Sequence, residues 1–224
     1  MKIAIFGGTF DPVHTGHMRA AKAALQKYHL DKILFVPTGC PPHKISGRLT
    51  EFHHRFAMVA LACAGNPQMV PSALEAPDAK HKPHYTIDTA RRLRRLTGPS
   101  DQLFFLIGMD AFLDLPQWRQ FRGLLDLVNF IVVSRPGFDS REIEQVVPAD
   151  LLAAPRKRAS SSMIRLRKTT LHILEGIKVP VASHEIRQAF RRKHQIAGAV
   201  PALVERYILK EGLYSSENRS TGGQ

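Results

Sequence analysis

The chain has 224 residues, and 44% of them are hydrophobic, which is enough for one globular domain with a sizeable core. Its 32 Lys and Arg residues against 19 Asp and Glu residues give a net charge of +13, which favours anionic partners such as nucleotides, nucleic acid or acidic surfaces. The chain has neither a leader-like start nor an apolar run of about eighteen residues, so neither secretion nor a membrane span is expected. Two cysteines are too few for a disulfide framework, and we expect a reduced, cytoplasmic setting.

Short apolar runs alternate with helical patterns along the first part of the chain. Strands of the fully buried type are predicted at 3–6, 32–37, 102–107 and 130–134, with a weaker one near Met69. Helices are predicted over 18–28, behind Thr86, and from Thr50 to Ala64. This alternation implies right-handed crossovers and a doubly wound parallel sheet, an α/β fold whose ligands lie beyond the carboxyl ends of the strands.

The domain organisation follows from this pattern. We predict a single domain over residues 1–214, followed by a disordered polar tail over 215–224. Within the domain, residues 1–138 form the main α/β part, 139–170 a variable basic insertion, and 171–214 a late strand with a small helical C-terminal part.

Details of the second half are less regular. The basic, Ser-rich stretch 156–168 is predicted to be a loop, and the late strand is predicted to break at Gly176. Ser183 is predicted to cap one helix, and Pro201 to begin another that ends at Gly212.

The segment GGTFDPVHTGH, residues 7–17, follows the first predicted strand. Gly7 and Gly8 would let the backbone turn tightly, so that N–H groups approach a phosphate with no Cβ in the way. A helix beginning near His14 would direct its N-terminus, which favours anions, to the same place. His14 and His17 are three residues apart, so both imidazoles can face an anion, and Gly16 leaves room between them. The segment therefore predicts a phosphate-binding turn with two protonatable side chains.

Other interpretations of this segment remain open. It matches neither GxGxxG nor GxxxxGK, which disfavours the dinucleotide and P-loop motifs. The histidines are compatible with a zinc site, although neither Cys40 nor Cys63 has the spacing of a further ligand. They are also compatible with ordinary surface histidines at the start of a helix.

GGTFDPVHTGH resembles the signature of bacterial nicotinate-nucleotide adenylyltransferases, and HTGH is similar to the HxGH element of the wider nucleotidyltransferase superfamily. Further segments look like elements of that family and occur in its order: PPHK at 41–44, HYTIDT at 84–89, IGMD at 107–110, PQWRQF at 116–121 and SRPG at 134–137. One element departs from the pattern, since VASHEIR at 181–187 has Ala182 and His184 where the family has hydroxyl residues that would bind ATP phosphates.

The resemblance implies a Rossmann-like nucleotidyltransferase fold and the transfer of an adenylyl group from ATP to nicotinate mononucleotide, which gives deamido-NAD and pyrophosphate in NAD biosynthesis. A phosphate monoester with a second pKa near ~6 is already largely ionised at neutral pH, so no general base is required. Catalysis then consists of in-line positioning and charge neutralisation, with Mg²⁺ accompanying ATP and no metal held by the protein alone.

The resemblance also implies roles for individual residues. His14 and His17 would be the catalytic pair. The residues implied to contact ATP are Gly7, Gly8, Thr9, Phe10, Gly16, Gly108, Asp110, Ser183 and Arg187. His184 departs from the family pattern, but its predicted place at a helix N-terminus makes it a further candidate donor to the ATP phosphates. The residues implied to contact nicotinate mononucleotide are Lys44, Tyr85, Thr86, Trp118 and Arg135. Trp118 would stack on the pyridine ring, and backbone N–H groups near Tyr85 and Thr86 would receive its carboxylate.

Two other functions remain as alternatives. A sister adenylyltransferase would act on nicotinamide mononucleotide or phosphopantetheine, although Trp118 and the HYTIDT element favour a pyridine substrate. A non-catalytic nucleotide-binding or nucleic-acid-binding protein is supported by the basic stretch 156–168, but no RNA or DNA motif accompanies it, so nucleic acid is not an expected partner. The sequence leaves open a homo-oligomer, the preference between acid and amide, and the role of the basic stretch.

Overall fold

The computed structural model describes most of the chain, namely residues 1–41, 49–79, 82–134, 143, 145–153, 162–177, 182–194 and 198–215. Lys44 and Arg135, both predicted to contact the mononucleotide, lie outside these residues, as does nearly all of the predicted tail.

A seven-stranded sheet forms the centre of the described fold. Its strands are β1 (Lys2–Gly8), β2 (Lys32–Pro37), β3 (Met69–Pro71), β4 (Gln102–Gly108), β5 (Asn129–Val133), β6 (Met163–Arg165) and β7 (Thr170–Leu174). Their order is β3-β2-β1-β4-β5-β7-β6, and every pair is parallel except β6 with β7. The predicted doubly wound parallel sheet is confirmed.

Helices cover both faces of this sheet. Those with described bounds are α1 (Thr15–Tyr28), α2 (Phe52–Cys63), α3 (Thr86–Leu96), α4 (Met109–Leu113), α5 (Phe121–Leu127), α6 (Ser183–Arg191) and α7 (Ala202–Lys210). Two short 3₁₀ helices lie at Leu115–Gln117 and Ala149–Leu151. No helix in the described part of the chain is long and apolar enough to cross a membrane.

The continuous apolar runs arise because the central strands are buried on both faces. In β1, Ala4 and Phe6 belong to the core beneath α1 and α2, while Ile3 and Ile5 belong to the core beneath α3 and α5. The chain winds outward in opposite directions from the adjacent strands β1 and β4. A ligand crevice is expected where the carboxyl ends of these two strands diverge, beyond Gly8 and Gly108.

Some predicted boundaries need correction. The helix predicted from Thr50 begins at Phe52, with Glu51 at its N-cap. The C-terminal helix ends at Lys210, so Gly212, with a φ of 61°, lies beyond it in a left-handed turn. The predicted late strand is observed as β7, which ends at Leu174, just before the predicted break at Gly176; residues 178–181, predicted to continue it, lie outside the described residues.

The prediction of a loop over the whole basic stretch is also wrong. Residues 163–165 form β6, which pairs antiparallel with β7 on its inner side. On its outer side, the Ala153 N–H donates to the Arg165 carbonyl and the Arg167 N–H donates to the Leu151 carbonyl. The chain itself therefore occupies one end of this sheet edge, at Arg165–Arg167.

Candidate active site

The backbone beyond β1 turns at a different residue from the one predicted. Gly7 and Gly8 are the last two residues of β1 itself, and the positive φ falls on Phe10, at 47°. The prediction that the two glycines form the turn is therefore wrong. Gly8 leaves room for the Phe10 ring, because a Cβ there would make a tight contact of 3.3 Å with it, whereas a Cβ on Gly7 would make only an ordinary contact of 3.6 Å with Phe105.

Phe10 is almost completely buried and anchors the turn by aromatic packing. Its ring centroid lies 5.6 Å from that of Phe6, 5.7 Å from that of Phe35 and 5.0 Å from that of His17. Edge-to-face contacts of this kind contribute about 0.5–1.5 kcal/mol each beyond area burial. The predicted ATP residue Phe10 thus also orients the His17 imidazole.

His14 and His17 cap helix α1 reciprocally. His14 is the N-cap residue, and its Nδ1 accepts a hydrogen bond of 3.4 Å from the His17 N–H. In return, the His17 Nδ1 accepts a hydrogen bond of 3.2 Å from the His14 N–H. Two histidines therefore form the arrangement of a capping box. Because each Nδ1 is an acceptor, the neutral tautomer assigned to both rings carries its proton on Nε2.

The two imidazoles are stacked, with centroids 3.6 Å apart and planes 26° apart. Burial lowers the pKa of His14 to about 4, and it lowers the pKa of the partly exposed His17 well below its ordinary value, with repulsion from His14 as a second cause. The pair is consequently neutral at pH 7 and presents two Nε2–H donors. A bound phosphate would raise both pKa values, because a nearby anion favours the charged form.

A buried polar network supports the turn from below, and sequence reasoning missed it. Arg55, about 1% exposed, donates from Nε to the Thr50 carbonyl at 2.7 Å and from Nη1 to the Thr9 carbonyl at 2.8 Å. The Tyr214 hydroxyl donates to Asp11 Oδ1 at 2.6 Å, and burial together with Asp11 raises the pKa of that hydroxyl. The signal in the sequence is an arginine on the apolar face of helix α2.

Residues from the C-terminal part of the chain hold the same turn. The Ala199 carbonyl accepts bonds from the Thr15 N–H at 2.9 Å and the Thr15 hydroxyl at 3.1 Å. The Ser183 hydroxyl donates to the Pro12 carbonyl at 3.1 Å, and Arg187 Nη1 donates to the Asp11 carbonyl at 2.7 Å. Two predicted ATP residues, Ser183 and Arg187, are thus brought beside the histidine turn.

Ser183 is not the cap of its helix, contrary to the prediction. It is the first helical residue of α6, and the N-cap is Ala182, which has no side-chain acceptor. The Glu185 carboxylate instead accepts a bond of 2.7 Å from the Ala182 N–H. His184 is exposed on the first turn of this helix.

A cavity of about 530 Å³ opens beside the turn, on the other side of the β1 strand end. It is lined by predicted site residues from four separate segments: Gly7, Gly8 and Thr9; Tyr85 and Thr86; Gly108; and Trp118. His14 and His17 are outside this lining, and the site therefore has two halves that meet at Gly7–Thr9. Asp110 follows Gly108 in the first turn of α4 and is exposed.

Aromatic side chains form the far wall of the cavity. The half-buried Trp118 packs edge-to-face on Phe105, with centroids 6.1 Å apart and planes at 89°. The Arg119 guanidinium lies over the Tyr85 ring at 4.6 Å from its centroid. Tyr85 is the N-cap of α3 and makes no side-chain capping bond, so the first N–H groups of this helix form an anion-attracting end beside the cavity.

Next to the cavity lining, sequence reasoning missed Gly39 and Cys40, which contact the lining residues Glu75 and His84. A Cβ on Gly39 would lie 1.8 Å from the Glu75 carbonyl oxygen, so only glycine fits there. The Cys40 N–H donates to His84 Nδ1 at 3.3 Å, and the His84 N–H donates to the Cys40 carbonyl at 2.9 Å. Nothing in the sequence singles out Gly39, because its constraint comes from a segment more than thirty residues away.

Fold and site together define a nucleotide-binding α/β protein with a stacked histidine pair at the start of its first helix. The family model described as cytidylyltransferase-like matches residues 5–167. A probable nicotinate-nucleotide adenylyltransferase of Desulfotalea psychrophila is 36% identical, covering 95% of this chain and 99% of that protein. One of Pelobacter propionicus is 37% identical, covering 96% and 99%.

Among solved structures, the chain resembles the Plasmodium falciparum nicotinic acid mononucleotide adenylyltransferase complexed with NaAD. The TM-score is 0.72 at 21% identity, over 95% of this chain and 97% of that one. The fold is therefore shared, while the sequence relatives carry the closer relationship. The chain belongs to the nicotinate-nucleotide adenylyltransferase family, and the resemblance carried by GGTFDPVHTGH is confirmed.

Proposed function

We propose that this chain transfers the adenylyl group of ATP to nicotinate mononucleotide, forming deamido-NAD and pyrophosphate in NAD biosynthesis. One observation carries the proposal beyond family membership. An aromatic cavity suited to a flat ring and a histidine-capped helix suited to phosphates meet at the same strand end, Gly7–Thr9. Two nucleotides bound in these halves would bring their phosphates together.

The reaction needs positioning and charge stabilisation. An oxygen of the mononucleotide 5′-phosphate attacks the α-phosphorus of ATP, the bond to the bridging oxygen breaks, and pyrophosphate leaves with that electron pair. The attacking phosphate is already ionised at neutral pH. The protein therefore has to hold two polyanions in line and stabilise the charge on the transferring group.

The histidine pair supplies that stabilisation in our proposal. The Nε2–H groups of His14 and His17 donate to the ATP phosphates, and the amino end of α1 adds its dipole. Arg187 keeps guanidinium N–H groups besides the one bound to the Asp11 carbonyl, and these are proposed to reach ATP together with Ser183 and His184. Lys44 and Arg135 remain proposed contacts of the mononucleotide.

The cavity half of the site is proposed to bind the pyridine ring of the mononucleotide. Trp118 is proposed to stack on the ring, and the first N–H groups of α3 at Tyr85 and Thr86 to receive its carboxylate. A carboxylate accepts stronger hydrogen bonds than a carboxamide does, so the acid should be preferred to nicotinamide mononucleotide.

Mg²⁺ is proposed to enter the site with ATP. In the described part of the chain, no group of three or more His, Cys, Asp or Glu side chains could hold a metal ion, so the donor set fits an ion held largely by phosphate oxygens. When bound, the ion would neutralise phosphate charge and favour the departure of pyrophosphate. We also propose a cytoplasmic location, which is supported by two cysteines that are both free thiols.

The test is to incubate the protein with ATP, Mg²⁺ and one acceptor at a time, and to measure pyrophosphate release and the dinucleotide formed. The acceptors are nicotinate mononucleotide, nicotinamide mononucleotide and phosphopantetheine. Fastest turnover with nicotinate mononucleotide supports the proposal. Faster turnover with another acceptor identifies a sister enzyme, and no release with any of them identifies a binding protein.

A further inference from the structure

The cavity contains one carboxylate whose sign does not suit its surroundings. Glu75 lines the cavity and is 7% exposed. Both proposed substrates are polyanions, and the chain carries a net charge of +13. An acidic side chain in such a site repels phosphate, so its presence there calls for a positive partner.

The protein itself provides little compensation for this carboxylate. Its described hydrogen bond comes from the hydroxyl of Thr89, at 2.7 Å, which is a neutral donor. Among the described residues no Lys, Arg or His forms an ion pair with Glu75, although Arg119 and His84 line the same cavity. Burial raises the pKa of Glu75, and the Thr89 bond opposes this only in part. A buried, uncompensated carboxylate is costly, and a cationic ligand would remove the cost.

The other walls fit a flat cation. Trp118, Tyr85 and Phe105 line the cavity, and aromatic faces attract cations through the ring quadrupole. In a pyridine mononucleotide the ring nitrogen is bonded to ribose and carries a formal positive charge, which is the only positive charge in the molecule. An aromatic wall with a single carboxylate is the arrangement that recognises such a ring.

We propose that the Glu75 carboxylate is the counter-charge that binds the positively charged ring of the pyridine mononucleotide. Thr89 holds the carboxylate in place through its hydroxyl, and the stack on Trp118 gains a cation–π component. This role rests on the proposed function, because it assigns a residue to the mononucleotide half of the same site. It is separate from the recognition of the ring carboxylate, which belongs to the amino end of α3.

The experiment compares two ligands that differ only in ring charge. One is nicotinate mononucleotide, whose ring is cationic, and the other is its C-nucleotide analogue, in which a neutral 3-carboxyphenyl ring replaces the pyridinium ring. Binding of each is measured by calorimetry in the absence of ATP. Wild type should bind the ligand with the cationic ring roughly tenfold more tightly, the order expected for one partly screened charge pair. Glu75→Gln, which has the same shape and can still accept from Thr89, should bind the two ligands within about twofold of each other.

Two variants distinguish a charge effect from a structural one. Glu75→Asp keeps the charge and should keep the preference for the cation, even where both affinities fall. Thr89→Val removes the hydrogen bond that holds the carboxylate in place, and should weaken the ligand with the charged ring more than the ligand with the neutral ring. Thermal unfolding and ATP binding measured on each variant show whether the fold is kept.

The outcomes separate this inference from the proposed function. If wild type makes deamido-NAD and Glu75→Gln weakens both ligands equally, or binds the cation more tightly, Glu75 is not the counter-charge and the proposed function stands. If wild type binds no pyridine mononucleotide, both are overturned. Loss of the charge preference in Glu75→Gln alone supports the inference.

Discussion

Replacing His17 by alanine tests the histidine pair, because the structure gives this side chain two roles of different size. As a structural group, it accepts the His14 N–H bond and packs on Phe10 at 5.0 Å and Phe6 at 5.7 Å. Loss of the cap costs about 0.5–2 kcal/mol and the two ring contacts about 0.5–1.5 kcal/mol each, a total of roughly 1.5–5 kcal/mol. Even at the upper end of this range, a domain with only about 5 kcal/mol of stability would remain about half folded, which lowers activity only about twofold.

As a catalytic group, His17 should matter much more. Losing one preorganised donor to a transferring phosphoryl group typically lowers the rate ~10²–10³-fold. The expected kcat of His17→Ala is therefore down by at least about a hundredfold, far beyond the small loss of folded protein. Pyrophosphate release at saturating ATP and nicotinate mononucleotide measures kcat, and chemical denaturation measures the stability of the same samples.

Matched variants complete the experiment. His17→Gln keeps an acceptor at the third helical position for the His14 N–H, so its stability should return toward wild type while kcat stays low. His29→Asn removes an exposed imidazole at the other end of α1, where φ is 51°, and should change neither quantity. Wild-type kcat in His17→Ala, or activity that follows stability across all three variants, would refute the catalytic role.

Further predictions concern the cavity, the metal and pH. Trp118→Ala should raise the KM for the mononucleotide about tenfold and leave the KM for ATP nearly unchanged; an effect confined to ATP would contradict its placement. Gly39→Ala should raise the KM for the mononucleotide and lower the melting temperature, because the new Cβ would lie 1.8 Å from the Glu75 carbonyl oxygen. Gly65→Ala is the control: its Cβ would have no neighbouring atom within 4 Å, so it should change neither quantity. EDTA should abolish turnover, and added Mg²⁺ should restore it. If the zinc content of different preparations instead correlates with their activity, the histidines are zinc ligands and this prediction is wrong. In the folded protein the pKa of His14 is lowered from 6.5 to about 4, so between these pH values the unfolded chain binds more protons than the folded one. The free energy of unfolding should therefore fall by about 1–3 kcal/mol as the pH drops from 6.5 to about 4. The fall should be smaller in His14→Asn.

The sheet was predictable because its signal is local. Strands buried on both faces have to be apolar at every position, and the run Lys32–Pro37 is the observed β2 residue for residue. Strand β6 was missed because Met163–Arg165 has neither an apolar run nor an alternating pattern. Its structure comes from pairing with β7 and with residues 151–153. Tertiary pairing of this kind overrides local propensity.

The site was predictable where its chemistry is contained in one segment. GGTFDPVHTGH places both histidines at the start of one helix, so their proximity follows from helix geometry. Arg55, Gly39 and Glu75 were not predicted as site residues. Arg55 is recognisable as unusual on its apolar helix face, but its partner Thr9, the contact of Gly39 with Glu75 and the proposed role of Glu75 all depend on segments distant in sequence. Their roles depend on how the strand ends converge, and a single sequence does not specify that convergence.

The bond between Tyr214 and Asp11 joins residues 203 positions apart. During synthesis, every strand of the described sheet is complete by Leu174. At that point Thr15 still lacks its partner Ala199, Pro12 its partner Ser183, and Asp11 its partner Tyr214. A nascent or truncated chain can therefore contain every described strand and both histidines without the contacts that fix this turn. In our proposal, the turn becomes fit to bind ATP only after Tyr214 has been synthesised, so a truncation before that residue should weaken ATP binding while the described strands remain.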